Sequence, residues 1–289
     1  LGGDSIVSIQ VVSRARQAGI AFTPKDLFQH QTVQGLATVA RLGDEDRLHI
    51  DQGPVSGEMV LLPIQQFFFE EPIPERHHWN QSLLLQPGKP LNGARLEQAV
   101  QALIVHHDAL RLAFVEDPAG HWSARYRPAS ERQPVLWQAE LHSAEELERL
   151  GNEAQRSLNL QEGPLLRGVL AELADGSQRL LLAIHHLVVD GVSWRILLED
   201  LQTAYRQLEQ GQPVSLPGKT SSIRAWAEHL QSYADDEAVQ RELPYWREQL
   251  GGIVDELPCD NPTGGLQNKY ATHATTHLDR DWTRRLLQA

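Results

Sequence analysis

The chain has 289 residues, enough for one large domain or two smaller ones with a substantial core. Its 26 Lys and Arg against 38 Asp and Glu leave a net charge of -12, which argues against a general nucleic-acid or anionic-membrane surface. No apolar run is long enough to span a bilayer, no basic-then-apolar signal pattern is present, and a single cysteine, Cys259, allows no internal disulfide, so the expected compartment is a reducing cytoplasm.

The first residue is Leu1 and the last, Ala289, follows an amphipathic helical pattern from Trp282 to Leu287, so an internal piece of a longer polypeptide is expected. Residues 1–42 read as a small helical unit. Asp4 and Ser5 can cap a helix carrying Ile6, Ile9, Val12 and Ala15, which Gly19 stops. A short helix fits Pro24 to Phe28, and another Thr32 to Leu42. Residues 43–60 are turn formers and charges without periodicity, and read as a linker.

From Leu61 a larger α/β unit is expected. Pro63 to Phe69 fits a helix with proline in its first turn, and Trp79 to Gln86 a strand. Asn92 can cap a helix to His106 that turns Leu96, Ala99, Val100 and Leu103 inward. Leu110 to Glu116 and Trp122 to Arg127 form a hairpin pattern, Val135 to Leu141 a strand, and Ser143 with Glu146 opens a helix to Leu158. Leu165 to Leu173 and Gln178 to His185 flank the turn signal Asp175-Gly176. Ser193 to Leu208 carries a helical stripe from Trp194 to Leu208, and helices are also expected from Ser221 or Ser222 to Tyr233 and from Glu237 to Leu250. Tyr270 to Asp279 alternates as a strand does. The mixture lacks a regular βαβ rhythm, which predicts an α+β fold with a mostly antiparallel sheet.

The chemistry concentrates in His185-His186-Leu187-Val188-Val189-Asp190-Gly191. An apolar strand delivers two histidines to its end, and strand alternation lets only one of them face a given substrate. An imidazole there can take or give a proton near neutral pH. Asp190 is either an orienting partner or a cap for the next helix, and Gly191 is expected to permit a turn that no side chain would allow. A metal site would need further convergent ligands, and neither His77-His78 nor His106-His107 has the spacing to supply them, so no metal is expected.

His185-His186-Leu187-Val188-Val189-Asp190-Gly191-Val192-Ser193-Trp194 resembles the HHxxxDG motif of the condensation-domain superfamily of nonribosomal peptide synthetases, and its Val-Ser-Trp ending resembles the epimerization branch. Leu62-Pro63-Ile64-Gln65-Gln66-Phe67-Phe68-Phe69 is similar to that branch's opening motif, with Phe67 where the branch more often has Trp. His106-His107-Asp108-Ala109-Leu110-Arg111-Leu112-Ala113-Phe114 resembles the superfamily's second motif. Leu1-Gly2-Gly3-Asp4-Ser5-Ile6 resembles the attachment motif of a peptidyl carrier protein, in the form found directly before epimerization domains.

The resemblance implies a carrier segment at residues 1–42, a linker at 43–60, the first chloramphenicol-acetyltransferase-like lobe of an epimerization domain at 61–250, and the start of its second lobe at 251–289. It implies 4'-phosphopantetheine on Ser5 and His186 as a proton-transfer group. It also implies a buried ion pair of Arg111 with Asp190 that holds the loop, with His185 and Gly191 in support. The implied reaction is inversion at Cα of an aminoacyl or peptidyl thioester, with a glutamate of the second lobe as the other acid/base. This chain alone would then be inactive and would expose apolar surface. Implied partners are an upstream adenylation domain, a downstream condensation domain and a phosphopantetheinyl transferase. The rival readings are peptide-bond condensation, which needs a second loaded carrier, and a non-catalytic carrier-docking module.

Overall fold

The structure, a computed structural model, describes residues 7–8, 11–12, 14–15, 18–42, 50–252, 260–261, 263–265 and 270–288. The chain divides into two compact units, Leu1–Asp236 and Glu237–Ala289.

In the first unit the described residues between 7 and 15 are helical. Helix α1 (Pro24–Gln29) starts at Thr23, whose hydroxyl accepts from Asp26 N–H while the Asp26 carboxylate accepts from Thr23 N–H. Helix α2 (Val33–Ala37) is shorter than the expected run to Leu42. Gly35 sits in its middle and the Thr38 hydroxyl takes the Gly35 carbonyl, which both work against propagation. The chain instead pairs β1 (Ile20–Ala21) with β2 (Arg41–Leu42). Neither short helix buries a residue, as a thin core requires.

The stretch expected to be linker is partly built into the fold. Its last residues form β3 (Gly57–Met59), the outer strand of an antiparallel sheet β3-β6-β5 with β5 (Leu112–Glu116) and β6 (Trp122–Tyr126). A three-residue strand with one buried side chain, Met59, has too little alternation to be read from sequence. Residues 43–49 lie outside the described residues.

Helix α3 (Pro63–Glu70) begins on proline, and the Gln65 side chain turns back to accept from Leu62 N–H at 3.0 Å. It buries Phe68 and Phe69, and the Phe69 ring stacks on Trp122 at 4.2 Å. A second sheet has the order β4-β9-β8-β7: β4 (Asn80–Leu85), β9 (Gln178–His185), β8 (Leu166–Leu173) and β7 (Leu136–Leu141). All pairs are antiparallel except β7 with β8, which the crossover helix α5 (Ala144–Arg156) joins in parallel. The β8–β9 turn runs through Gly176 at φ +75°, a conformation that favours glycine.

Helix α4 (Gly93–His106) packs against α6 (Ser193–Glu209). Leu96, Ala99, Val100 and Leu103 of α4 and Trp194, Leu197 and Leu201 of α6 are buried, as their spacing predicts. Helix α7 (Ile223–Ala234), capped by Ser222, adds Ala227 to the same core.

The second unit contains α8 (Glu237–Leu250) and α9 (Arg280–Gln288). Tyr270 to Asp279 forms no strand, contrary to its alternation, because no described residue offers it a ladder partner. Cys259 lies outside the described residues. Among the described residues no helix is long and apolar enough to cross a membrane.

Phe114 in β5 is fully buried at 0% exposure, between Phe69 and the rest of the core. Phe114→Ala is expected to cost about 3–5 kcal/mol, read as a lower denaturant midpoint at unchanged slope.

Candidate functional site

Strand β9 ends in two histidines that part company. Its residues from Leu180 to His185 are all buried, so both faces of the strand are covered, and the pairing with β4 sets the face on which each side chain leaves. His185 turns inward and is 0% exposed. Its Nε2 donates to the Arg76 carbonyl at 2.8 Å, and its Nδ1 accepts from Leu187 N–H at 3.2 Å. The ring stands edge-on to Phe68 at 5.9 Å. Burial pushes the His185 pKa down from 6.5 to about 4, against the raising effect of the bond to Arg76. His185 is therefore a neutral structural imidazole near pH 7.

His186 turns the other way and is exposed. Its N–H donates to the Trp79 carbonyl at 2.8 Å and so extends the β4–β9 ladder. Its Nδ1 lies 2.8 Å from the Val189 carbonyl. A carbonyl only accepts, so Nδ1 carries the proton and Nε2 presents its lone pair. Gln81, opposite Ile184 in the register and on the same face as His186, brings its Nε2 to 3.4 Å from that lone pair. The Gln81 carbonyl oxygen accepts from the Trp194 indole N–H at 2.9 Å. An imidazole fixed at an exposed strand end, with the Nδ1 proton held by a carbonyl, can take a proton at Nε2 and return it.

The loop beyond His186 is anchored by the buried Val188 and Val189. Asp190 closes it. Its Oδ1 accepts from Val192 N–H at 3.1 Å, from Ser193 N–H at 2.8 Å and from the Ser193 hydroxyl at 2.6 Å. Burial alone would raise the Asp190 carboxyl, but these bonds outweigh it and hold the group below the usual carboxylate range. Asp190 thus secures the entrance of α6.

The expected ion pair of Arg111 with Asp190 does not form. Arg111 is buried, and its donors go to the Arg127 carbonyl at 2.6 Å, the Val55 carbonyl at 2.9 Å and the Asp108 carboxylate. Asp108 lies three residues away, on the same 3₁₀ turn, so it meets the guanidinium at little entropic cost. The other Asp108 oxygen holds the Lys219 ammonium at 2.9 Å, and Val55 N–H donates to the carboxylate as well. Nor is Gly191 required by its conformation. Its φ is not in the left-handed region, and a Cβ built there meets nothing within 4 Å. The turn is held by the Asp190 bonds instead.

Sequence reasoning missed Gln81, Lys219 and Asp200. His107 Nε2 and Asp200 Oδ2 are 2.8 Å apart, and with His106 their ligand atoms lie within 4.8 Å of one another. One carboxylate oxygen takes His107, and burial, with His107 and the Lys219 ammonium acting in the same direction, holds the His106 pKa below its ordinary value. Asp200 is on α6, far from His107 in sequence, and nothing in the spacing announces the contact.

Ser5 lies outside the described residues. The hydroxyls among the described residues of 1–42 fit a prosthetic arm poorly; Ser13, like Ser5, lies outside them. Ser8 is buried, Thr23 and Thr32 cap helices, and Thr38 bonds the Gly35 carbonyl.

Two family models match the chain: "Condensation domain" over residues 55–289 and "Phosphopantetheine attachment site" over residues 1–40. The chain is 47% identical over 300 residues to one of the linear gramicidin synthase proteins of Brevibacillus parabrevis, covering 100% of this chain and 4% of that protein. It is 43% identical over 292 residues to surfactin synthase subunit 1 of Bacillus subtilis, covering 99% of this chain and 8% of that protein. Among solved structures, the epimerization domain from the third module of tyrocidine synthetase B aligns with TM-score 0.67 and 37% identity, over 73% of this chain and 49% of that one. The first condensation domain of the calcium-dependent antibiotic synthetase aligns with TM-score 0.57 and 22% identity, over 67% of this chain and 48% of that one, and establishes the fold alone.

Three outcomes follow from the geometry. Arg111→Met is expected to cost roughly 3–5 kcal/mol by leaving Asp108 buried without its guanidinium, and a double-mutant cycle should couple Arg111 to Asp108 and not to Asp190. Asp190→Ala should cost about 1 kcal/mol of stability, whereas Gly191→Ala should be neutral or gain about 0.5 kcal/mol. His185 binds its proton more readily unfolded than folded, so stability should fall as pH drops from 6.5 toward 4, by about 3 kcal/mol in full. Denaturation midpoints across this window check it, and His185→Gln should flatten the slope.

Proposed function

The chain belongs to the condensation-domain family of nonribosomal peptide synthetases, with a phosphopantetheine attachment segment ahead of that domain, and we propose that it is the epimerizing member of a synthetase module. The observation that carries this reading is the 37% identity to an epimerization domain over 73% of the chain, against 22% for a condensation domain of similar coverage. The Val192-Ser193-Trp194 ending of the histidine motif supports it.

The arm is borne by a serine, which we assign to Ser5. When attached, it supplies a thioester that acidifies the Cα–H of the residue it carries. Inversion then requires one group to remove a proton from one face of Cα and another to deliver a proton to the opposite face. We assign one role to His186. Its Nδ1–H stays on the Val189 carbonyl, so Nε2 alone exchanges the proton, and the imidazolium formed on uptake keeps that bond. Asp190 supports the loop by tying it to the first N–H groups of α6, and Arg111 holds the separate Asp108 junction. The second acid/base has no assigned residue in this chain. The aligned epimerization domain is covered over only 49% of its length, and we assign the group to the remainder of such a domain.

The chain spans 4% and 8% of the two curated relatives named, so substrate and partners are part of the proposal. They are an aminoacyl or peptidyl thioester on the adjacent carrier, an upstream adenylation domain, a downstream condensation domain and a phosphopantetheinyl transferase.

The test uses the full synthetase with an L-aminoacyl or L-peptidyl group loaded on the carrier in deuterated buffer. Deuterium is expected to enter at Cα, with a loss on the order of 100-fold or more in His186→Ala and no loading in Ser5→Ala. Absence of uptake, with product formed only when a second loaded carrier is added, would replace epimerization by condensation.

A further inference from the structure

We propose that Gln81 is a positioning residue for His186, with its amide orientation set by the Trp194 indole. The inference rests on reading His186 as the proton-transfer group, and adds what fixes its protonation form. An indole N–H can only donate, so the Gln81 atom that faces it at 2.9 Å must be the carbonyl oxygen. The amide is planar, so its NH2 group is committed to the opposite side, where it lies 3.4 Å from His186 Nε2. A second constraint comes from the other side of the ring, where the Val189 carbonyl holds the proton on Nδ1. The two constraints agree. An NH2 donor beside Nε2 favours the lone pair and opposes an N–H at that position.

The arrangement has the parts a positioning device needs. Gln81 is held on β4 by the ladder to β9, opposite Ile184, so backbone pairing sets its distance from His186. Trp194 is 7% exposed and packs in the core, so its indole is a fixed reference point. It stands at the first turn of α6, whose entrance Asp190 secures. Helix, strand and loop therefore converge on one ring nitrogen. Gln81 carries no charge. Among the described residues, Asp190 on its own loop and His185 at the end of β9 interact electrostatically with His186, and burial keeps His185 neutral.

The consequence for the proton transfer is directional. Gln81 leaves Nε2 poised to accept and makes the protonated ring a better donor, since imidazolium meets an N–H at that edge. Replacing NH2 with an acceptor reverses this. Gln81→Glu keeps shape and leaves one oxygen for Trp194, while the other attracts a proton to Nε2. Trp194→Phe releases the amide, so that it can turn its oxygen to His186 and act in the same direction.

The experiment is nitrogen NMR of the His186 imidazole in this chain at pH 7. The native protein is expected to give a protonated Nδ1 and an unprotonated Nε2. Gln81→Glu should raise the ratio of protonated to unprotonated Nε2 about tenfold, the size one charge-assisted hydrogen bond makes in an equilibrium, and Gln81→Leu, which removes the donor without adding an acceptor, should raise it less. In the full synthetase, Gln81→Glu should move the acid limb of the α-deuterium exchange profile to higher pH, with the rate recovered as pH rises. A merely structural role would lower the rate at every pH. A native spectrum with the proton on Nε2, or one unchanged in Gln81→Glu with the fold intact, would overturn the proposal. If the spectra are as expected but the native synthetase exchanges no deuterium, the epimerase reading fails while the role of Gln81 stands.

Discussion

The ladder between β4 and β9 sets Asn80 opposite His185 and Gln81 opposite Ile184, and the site depends on that register. A slip of one residue would send every side chain of the strand to the other face. His185 would then take the exposed position of His186, and His186 would turn into the core. The register is pinned because β9 pairs on both sides, with β4 and with β8, and its buried residues Leu180 to Ile184 differ in size, so a slip would mispack both faces. The same pairing supplies His186 with Gln81 and joins its N–H to Trp79. Chemistry and packing are thus specified by one set of hydrogen bonds.

A second junction steadies the surroundings. Asp108 gathers Arg111, Lys219 and the Val55 N–H, and so ties the segment before β3, the turn before β5 and the loop before α7 to one carboxylate. Two cations on one buried acid make removal of the acid as damaging as removal of either base, since the remainder is left charged away from water. Arg111 belongs to this junction and makes no hydrogen bond to the His186 loop. Asp190 is free of it and works locally, holding the start of α6 where Trp194 can reach Gln81.

Much of the architecture was legible in the sequence because periodicity and caps agree. Asn92, Ser143 and Ser222 each cap the helix their position predicts, and Asp175-Gly176 makes the expected turn. The misses have particular causes. Gly57–Met59 is too short to alternate, and Tyr270 to Asp279 alternates without a described partner. At the site, the opposite fates of His185 and His186 follow from strand alternation alone. The partner of Arg111 did not follow, because a contact three residues away on a 3₁₀ turn competes with a distant one and spacing does not rank them. Gln81 was invisible for a different reason. Its meaning lies in which strand pairs with β9 and which indole lies beside it, and both are tertiary facts.

The central claim is that the His186 site serves inversion at Cα, and approach to equilibrium from both sides tests it most directly. The full synthetase would be loaded with the L-thioester in one sample and the D-thioester in another, and the D-to-L ratio followed in each. The account predicts that both samples converge on one ratio, and that His186→Ala keeps each at its starting configuration. Retention of configuration by the native enzyme in both samples would contradict it.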